Sequence, residues 1–376
     1  MRSLGVAAVA AALVIGSASA AQAGPPDFPR CQRIAAGTPL AAALADLPDA
    51  EASGALVLVH NGASCSQGSA GIADVYGHRP VPIDGRFRIG SMTKTFTAVV
   101  ALQLAAEHRL DLDQTVQHYL PELLPAGTSP VTVRQVLTFT SGINHVAVPN
   151  KEPSWFLAHR FDVWPKGSQL AVDEPLAFAP GTAQRYGNAD YIVAGLLIEK
   201  VTGQSWDSQV QRRIIDRLGL SGTSAPRRSV EVPGPHAHGY EATADGWVDV
   251  TRADTSLQWS AAAIISTAPD LDRFLVALFS GRLVPEPQLT EMFTVPDVPM
   301  VGGGRAVYSA GLTRIPVSPT LTVWGKSGDR PGYNNGMGAT RDLGQRLVFS
   351  VNTLHMGGEQ PVRSQRLIAA ALLGLS

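Results

Sequence analysis

Strand-like runs concentrate at the two ends of this chain, and that order restricts its folding more than any other feature. "GALVLVHNG" (Gly54–Gly62) and "GSAGIADVYG" (Gly68–Gly77) read as two strands joined by a Gly-containing turn. "LTVWGKSG", "NGMGATRD" and "QRLVFSVNT" read as three more between Leu321 and Thr353, with turns expected at Gly336 and at Asp342–Gly344. The stretch between the two groups is mostly helical in character. "SPVTVRQVLTFTSG" has a Thr/Pro start and a Gly stop, and "NADYIVAGLLIEKVTG" has Asn188 as a candidate cap and Gly203 beyond its end. "AAGTPLAAALADL" and "RLIAAALLGLS" add a helix near each terminus. A sheet must then be assembled from distant segments. The expected organisation is an α/β part from about residues 32–110 and 240–376 with a helical part, about 111–239, inserted.

With 376 residues, 45% hydrophobic and 16% charged, the chain can bury a sizeable core. Its net charge of −1 gives no electrostatic case for nucleic acid or an anionic membrane as partner. Residues 1–23 read as a secretory signal: Arg2, an apolar run from Leu4 to Gly16, then small-residue cleavage sites after Ala20 or Ala23. The apolar run is short of the roughly 20 residues of a spanning helix. The mature protein is therefore expected outside the cell, without stable membrane insertion. Its two cysteines, Cys31 and Cys65, are either a disulfide or two free thiols, since sequence supplies no Cα separation.

Chemistry enters through lysine. Only five of thirty basic residues are lysines, yet Lys94 lies three residues after Ser91 at the mouth of an apolar helix. An arginine stays charged, whereas a crowded lysine can release its proton and act as a base. At a helix start, Ser91 would also sit among unpaired backbone N–H groups that favour a developing anion. "FAPGTAQRYGNADY" sets Tyr186 and Asn188 at i and i+2: a phenol that can relay protons, and an amide that can both donate and accept. "VWGKSGDRPGY" ends an apolar strand on Lys326, Ser327 and Gly328, where glycine permits close backbone approach.

S-x-x-K, Y-x-N and K-[ST]-G in this order resemble the signature set of the penicillin-recognising serine hydrolases. The chain is similar over nearly its whole mature length to soluble serine DD-carboxypeptidases and class C β-lactamases. The secreted carboxypeptidases look nearest through "PGPHAHGY" (Pro233–Tyr240) and Trp259. That resemblance implies an antiparallel sheet flanked by helices, an all-helical part, and a site between them. It implies a Ser91 acyl-enzyme, Lys94 and Tyr186 sharing the general-base role, Lys326 adding positive charge, and Asn188, Ser327, Gly328, Asp329 and Trp259 binding substrate. The backbone N–H groups of Ser91 and Asp329 would form the oxyanion hole, and no metal or cofactor is needed. The leading functional expectation is a D-Ala-D-Ala carboxypeptidase trimming peptidoglycan stems and acylated by β-lactams. A β-lactamase, esterase or D-aminopeptidase of the same fold is the alternative, and a non-catalytic binder of β-lactam or peptidoglycan a third reading.

Several positions depart from the family pattern. Lys326 stands where the carboxypeptidases usually carry histidine. The arginine that binds the substrate carboxylate in relatives would fall at Thr313, with Arg314 adjacent but on the opposite face of a strand. Gly187 replaces the more usual serine between Tyr186 and Asn188. Asp329 puts a carboxylate where a small or hydroxyl residue is usual. It would repel anionic substrates unless neutralised by Lys326 or Arg330, and so tilts specificity toward neutral or amine-bearing substrates. Other motifs carry less. His236 and His238 form H-x-H without a third ligand at sensible spacing. No G-x-S-x-G elbow occurs, and Gly302–Gly304 follows no phosphate-binding pattern.

Overall fold

The computed structural model describes residues 31–357 and 361–373, so the signal-like segment lies outside the described residues. Among the described residues eleven strands follow in chain order: β1 (Gln32–Arg33), β2 (Ala52–Asn61), β3 (Ser64–Gly71), β4 (Phe87–Arg88), β5 (Tyr240–Thr243), β6 (Gly246–Asp249), β7 (Ile265–Ser266), β8 (Thr313–Pro316), β9 (Thr322–Arg330), β10 (Tyr333–Thr340) and β11 (Gln345–Thr353). Seven of them form one sheet in the order β1-β3-β2-β11-β10-β9-β8. Its centre joins the two ends of the chain, with β2 antiparallel to β11 over Ala52–Asn61. The sheet is mixed rather than purely antiparallel, because the edge strand β1 runs parallel to β3.

Alternation along the central strands sorts side chains to two faces. Val57, Phe349 and Val351 pack outward under the helices Pro39–Leu44 and Val362–Leu373, with Leu44 and Leu367. Leu56, Leu58 and Val348 face the main core. There the helix Ala268–Phe279, capped by the Thr267 side chain, lies against β11 and β10, and its Phe274 stacks on Phe96 at 3.9 Å. Phe96 belongs to the helix Thr93–Ala106, almost all of whose residues are buried. A helix buried on every side must run through the middle of a protein.

The helices of the inserted part share this core, with Tyr191, Ile198 and Trp206 in the same unbroken cluster as Leu56 and Phe274. Val133–Leu137 begins with a reciprocal capping box between Thr132 and Gln135, and Ala189–Thr202 ends at Gly203 in the left-handed conformation. Two expectations shift. The second strand is Ser64–Gly71, several residues earlier than its sequence reading. Gly336 lies inside β10, not in a turn: a Cβ there would stand 2.5 Å from the Phe349 ring, so glycine makes room for that ring. The turn between β9 and β10 falls at Gly332 instead, with φ +77.

Candidate active site

Ser91 sits in a 3-10 turn, Gly90–Met92, that runs directly into the helix Thr93–Ala106. The expected first α-helical turn is thus a tighter one, introduced by Gly90 at φ +54. This turn is pressed against β9. A Cβ on Gly90 would lie 2.6 Å from the Asp329 nitrogen, and one on Gly328 only 1.9 Å from the Ile89 carbonyl and 3.0 Å from the Ser91 nitrogen. Two glycines therefore bring the main chains of Ser91 and Asp329 side by side.

Lys94 is fully buried. Its Nζ donates to Ser91 Oγ at 3.1 Å, Asn188 Oδ1 at 2.8 Å and the Ala261 carbonyl at 3.1 Å. Burial, with repulsion from Lys326 beneath the attraction of Tyr186, lowers its pKa to about 8. Lys326, also buried, donates to the Ser327 carbonyl at 3.2 Å, and loss of hydration lowers it to about 7. Between the two amines lies the Tyr186 ring, 5.1 Å from Lys94 Nζ and 4.5 Å from Lys326 Nζ, packed on Phe139 and Tyr308. The Tyr186 hydroxyl is buried and makes no hydrogen bond of good geometry, yet it lies close enough to Lys94 to favour that lysine's charged form. Asn188 does occupy the cap position of its helix, but its side chain makes no capping bond; Lys94 and, at 3.5 Å, Gln169 engage it instead.

Ser91, Lys94, Tyr186, Asn188 and Lys326 thus form one contiguous cluster, walled by Gly328 and Asp329. Ser327 is exposed on the strand beside them. Trp259 is mostly buried, at φ +33, stacked edge-on with Trp206 and capped by Lys166 Nζ at 4.8 Å from its ring. Its turn, Trp259–Ala261, supplies the carbonyl that holds Lys94.

The partner of Asp329 differs from the expected Lys326 or Arg330. Its carboxylate meets Lys151 Nζ at 2.9 Å, from a loop of the inserted part. Arg330 is buried on Gln258, and its pKa falls to about 10 through desolvation. Sequence reading also missed Gln169, the Ala261 carbonyl and the buried Asp190. Ser141 Oγ donates to Asp190 at 2.5 Å, and burial raises this carboxyl to about 7. None of these carries a local motif that could have flagged it.

No metal arrangement emerges at His236 and His238, which hydrogen-bond the Gly234 carbonyl and Asp249. The group of potential metal ligands that does cluster among the described residues is Cys31, His60 and Cys65. There the two sulfurs are bonded to each other, with Cα atoms 4.6 Å apart, and His60 pairs with Asp272.

Comparisons with known proteins show what the chain is similar to. Over 90% of its length the chain is 32% identical to a D-stereospecific amidohydrolase from Streptomyces sp., covering 98% of that structure with a TM-score of 0.77. The D-amino acid amidase from Ochrobactrum anthropi SV3 shares the fold, at 24% identity and a TM-score of 0.73, with 90% of this chain and 98% of that one covered. The esterase EstB from Burkholderia gladioli is 30% identical over 49% of this chain, and the match spans only 55% of that enzyme's length. The Beta-lactamase family model matches residues 40–372, and the chain therefore belongs to the β-lactamase family, serine hydrolases of the penicillin-binding fold.

Proposed function

We propose that this chain hydrolyses amides or esters of D-amino acids that carry a free α-amine, through an acyl-enzyme on Ser91. The Asp329 carboxylate carries this reading: its main chain lies against the Ser91 turn, and its side chain is a negative charge held in an exchangeable contact with Lys151. Both partners are substantially exposed, at 56% and 39% for their side chains, and such a pair contributes little stability. A substrate ammonium can take the place of Lys151. Likeness to a D-stereospecific amidohydrolase along nearly the whole chain supports the D-configuration and the amide bond in this reading.

The carboxypeptidase reading has less support at the position where relatives carry an arginine for a terminal carboxylate. Thr313 occupies the expected arginine position, and Arg314 is exposed on the edge strand β8. We further propose, from the pattern of residues 1–23, that the enzyme acts after export.

The mechanism follows from the tetrahedral geometry at Lys94. As an ammonium it has three hydrogens for three oxygens. As a neutral amine it keeps two for Asn188 and Ala261, and the lone pair then faces Ser91 Oγ. A pKa near 8 leaves a useful neutral fraction close to neutral pH. Ser91 Oγ gives its proton to Lys94 and attacks the carbonyl, whose developing oxyanion is met by the N–H groups of Ser91 and Asp329. Tyr186, whose buried hydroxyl lies near Lys94, passes a proton to the departing amine. Water then releases the acid by the reverse relay.

The test compares kcat/KM for D-phenylalanine amide, its N-acetyl derivative and an N-acylated D-Ala-D-Ala peptide, in wild type and Asp329→Asn. The free-amine substrate should lead in the wild type. The variant should lose about tenfold or more on that substrate alone, on the order of one charge-assisted hydrogen bond. Faster turnover of the D-Ala-D-Ala peptide by the wild type would restore the carboxypeptidase reading.

A further inference from the structure

At the far end of the Ser91 helix lies a second cavity, about 500 Å³, that the hydrolytic mechanism does not use. The 14-residue helix Thr93–Ala106 separates it from the nucleophile by about 20 Å. Four arginines line it, Arg212, Arg213, Arg217 and Arg282, against a single carboxylate, Glu107. This concentration stands out in a chain whose net charge is −1.

The simplest account is structural: cations favour helix C-termini, and Glu107 needs a partner. It explains Arg213, which clamps Glu107 with contacts of 2.5 and 2.9 Å. It leaves the other three. Arg212 spends one N–H on the Ser208 carbonyl at 3.3 Å, Arg217 one on the Arg282 carbonyl at 2.7 Å, and Arg282 one on Ser280 Oγ at 3.2 Å. Among the described residues none of these three forms an ion pair. All three line the cavity.

Two independent features point to a ligand. The first is backbone. Gln211–Ile215 is a π-helical turn between the α-helical segments Trp206–Val210 and Asp216–Leu218. Closed i→i+5, this wider turn brings both Arg212 and Arg213 toward the side of Arg217, which a regular α-helix would do only for Arg213. π-turns are rare and concentrate at functional sites. The second is a buried polar atom. Gln103, only 6% exposed, lines the same cavity, and its Nε2 donates to the Leu283 carbonyl at 2.9 Å. That bond fixes the amide's orientation and leaves Oε1 buried without a partner. An orphan acceptor of this kind is costly unless something donates to it.

We propose that this cavity binds a hydroxyl-bearing anion, the phosphate ester or carboxylate of a polyol. The arginines take the anionic oxygens through charge-assisted hydrogen bonds, and a hydroxyl of the same ligand donates to Gln103 Oε1. The site is independent of the reaction proposed at Ser91.

Calorimetric titration of the full-length folded protein at constant ionic strength tests it, with inorganic phosphate, glycerol 3-phosphate, glucuronate and chloride as probes. One saturable site is expected for glycerol 3-phosphate or glucuronate, tighter than for inorganic phosphate, and none for chloride. Arg212→Ala combined with Arg217→Ala should weaken that binding about tenfold or more while leaving ester turnover at Ser91 unchanged. Gln103→Met should erase the preference for the hydroxyl-bearing anion over phosphate. Absence of saturable binding, or binding that the double arginine variant retains in full, would overturn the proposal. Equal thermal shifts with chloride and phosphate would do the same.

Discussion

A lysine proposed to lose its proton near neutral pH is helped by burial, and burying it has consequences for every residue around it. Lys94 is held by three oxygens that an ammonium satisfies completely, and its amine form remains oriented on Ser91. The log of kcat/KM for an uncharged ester should therefore rise with pH and level above about 8, as Lys94 becomes neutral. A profile that falls above about 7 would instead require the Lys326 ammonium, since Lys326 titrates there. Lys94→Met should cut acylation by about 10²–10⁴-fold with the fold retained on a thermal melt, the usual range for a lost general base. Rare lysines at motif positions were legible in the sequence; the partner of Asp329 was not. Strand alternation is the reason. Lys326, Gly328 and Arg330 share the buried face of β9, so Asp329 faces away from both cations expected to neutralise it. Lys151 fills that role from a loop remote in sequence, which no local pattern encodes.

Among the elements, β9 does the most to build the site. Its partner β8 covers only Thr322–Gly325, so Lys326–Arg330 has one free edge beside the Ser91 turn. The strand was expected to end on Lys326, Ser327 and Gly328. In the fold it pairs with β10 through Arg330, and pairing across a sheet outweighs local propensity. Gly328 is the contact point: a methyl there would collide with the Ile89 carbonyl. Gly328→Ala should displace β9 from Ser91 and lower the acylation rate about 10²-fold, the scale associated with an ångström of misplacement at a reacting centre. Stopped-flow acylation and circular dichroism together check it; an unaltered rate in a folded variant would show that this contact does not position the site. The same logic explains Asn188. Its cap position was readable from "NADY", while its diversion to Lys94 depends on two helices meeting, which only the packed structure contains.

At the scale of the molecule, the division into an α/β part and a helical insertion was readable from strand signals at both ends, yet one hydrophobic core runs through both. What holds the N-terminal edge is covalent. The Cys31–Cys65 disulfide links the segment before β1 to β3 across a sequence separation of 34. Closing a loop of that size is worth about 3–4 kcal/mol in the chain-entropy model. The bond lies at the opposite side of the sheet from the site, since β2, β11 and β10 intervene between β3 and β9. Stability and catalysis should therefore separate. Cys31→Ser with Cys65→Ser, or reduction of the native protein, should lower the melting temperature by several degrees while ester turnover at Ser91 below the transition stays within about twofold. Such a bond persists only in an oxidising compartment, so the prediction also bears on export. Protein recovered from its natural source should carry no free thiol and should begin at Ala21 or Gly24. Free thiols on an unprocessed chain would place the enzyme inside the cell and leave the edge strand to be held by β3 alone.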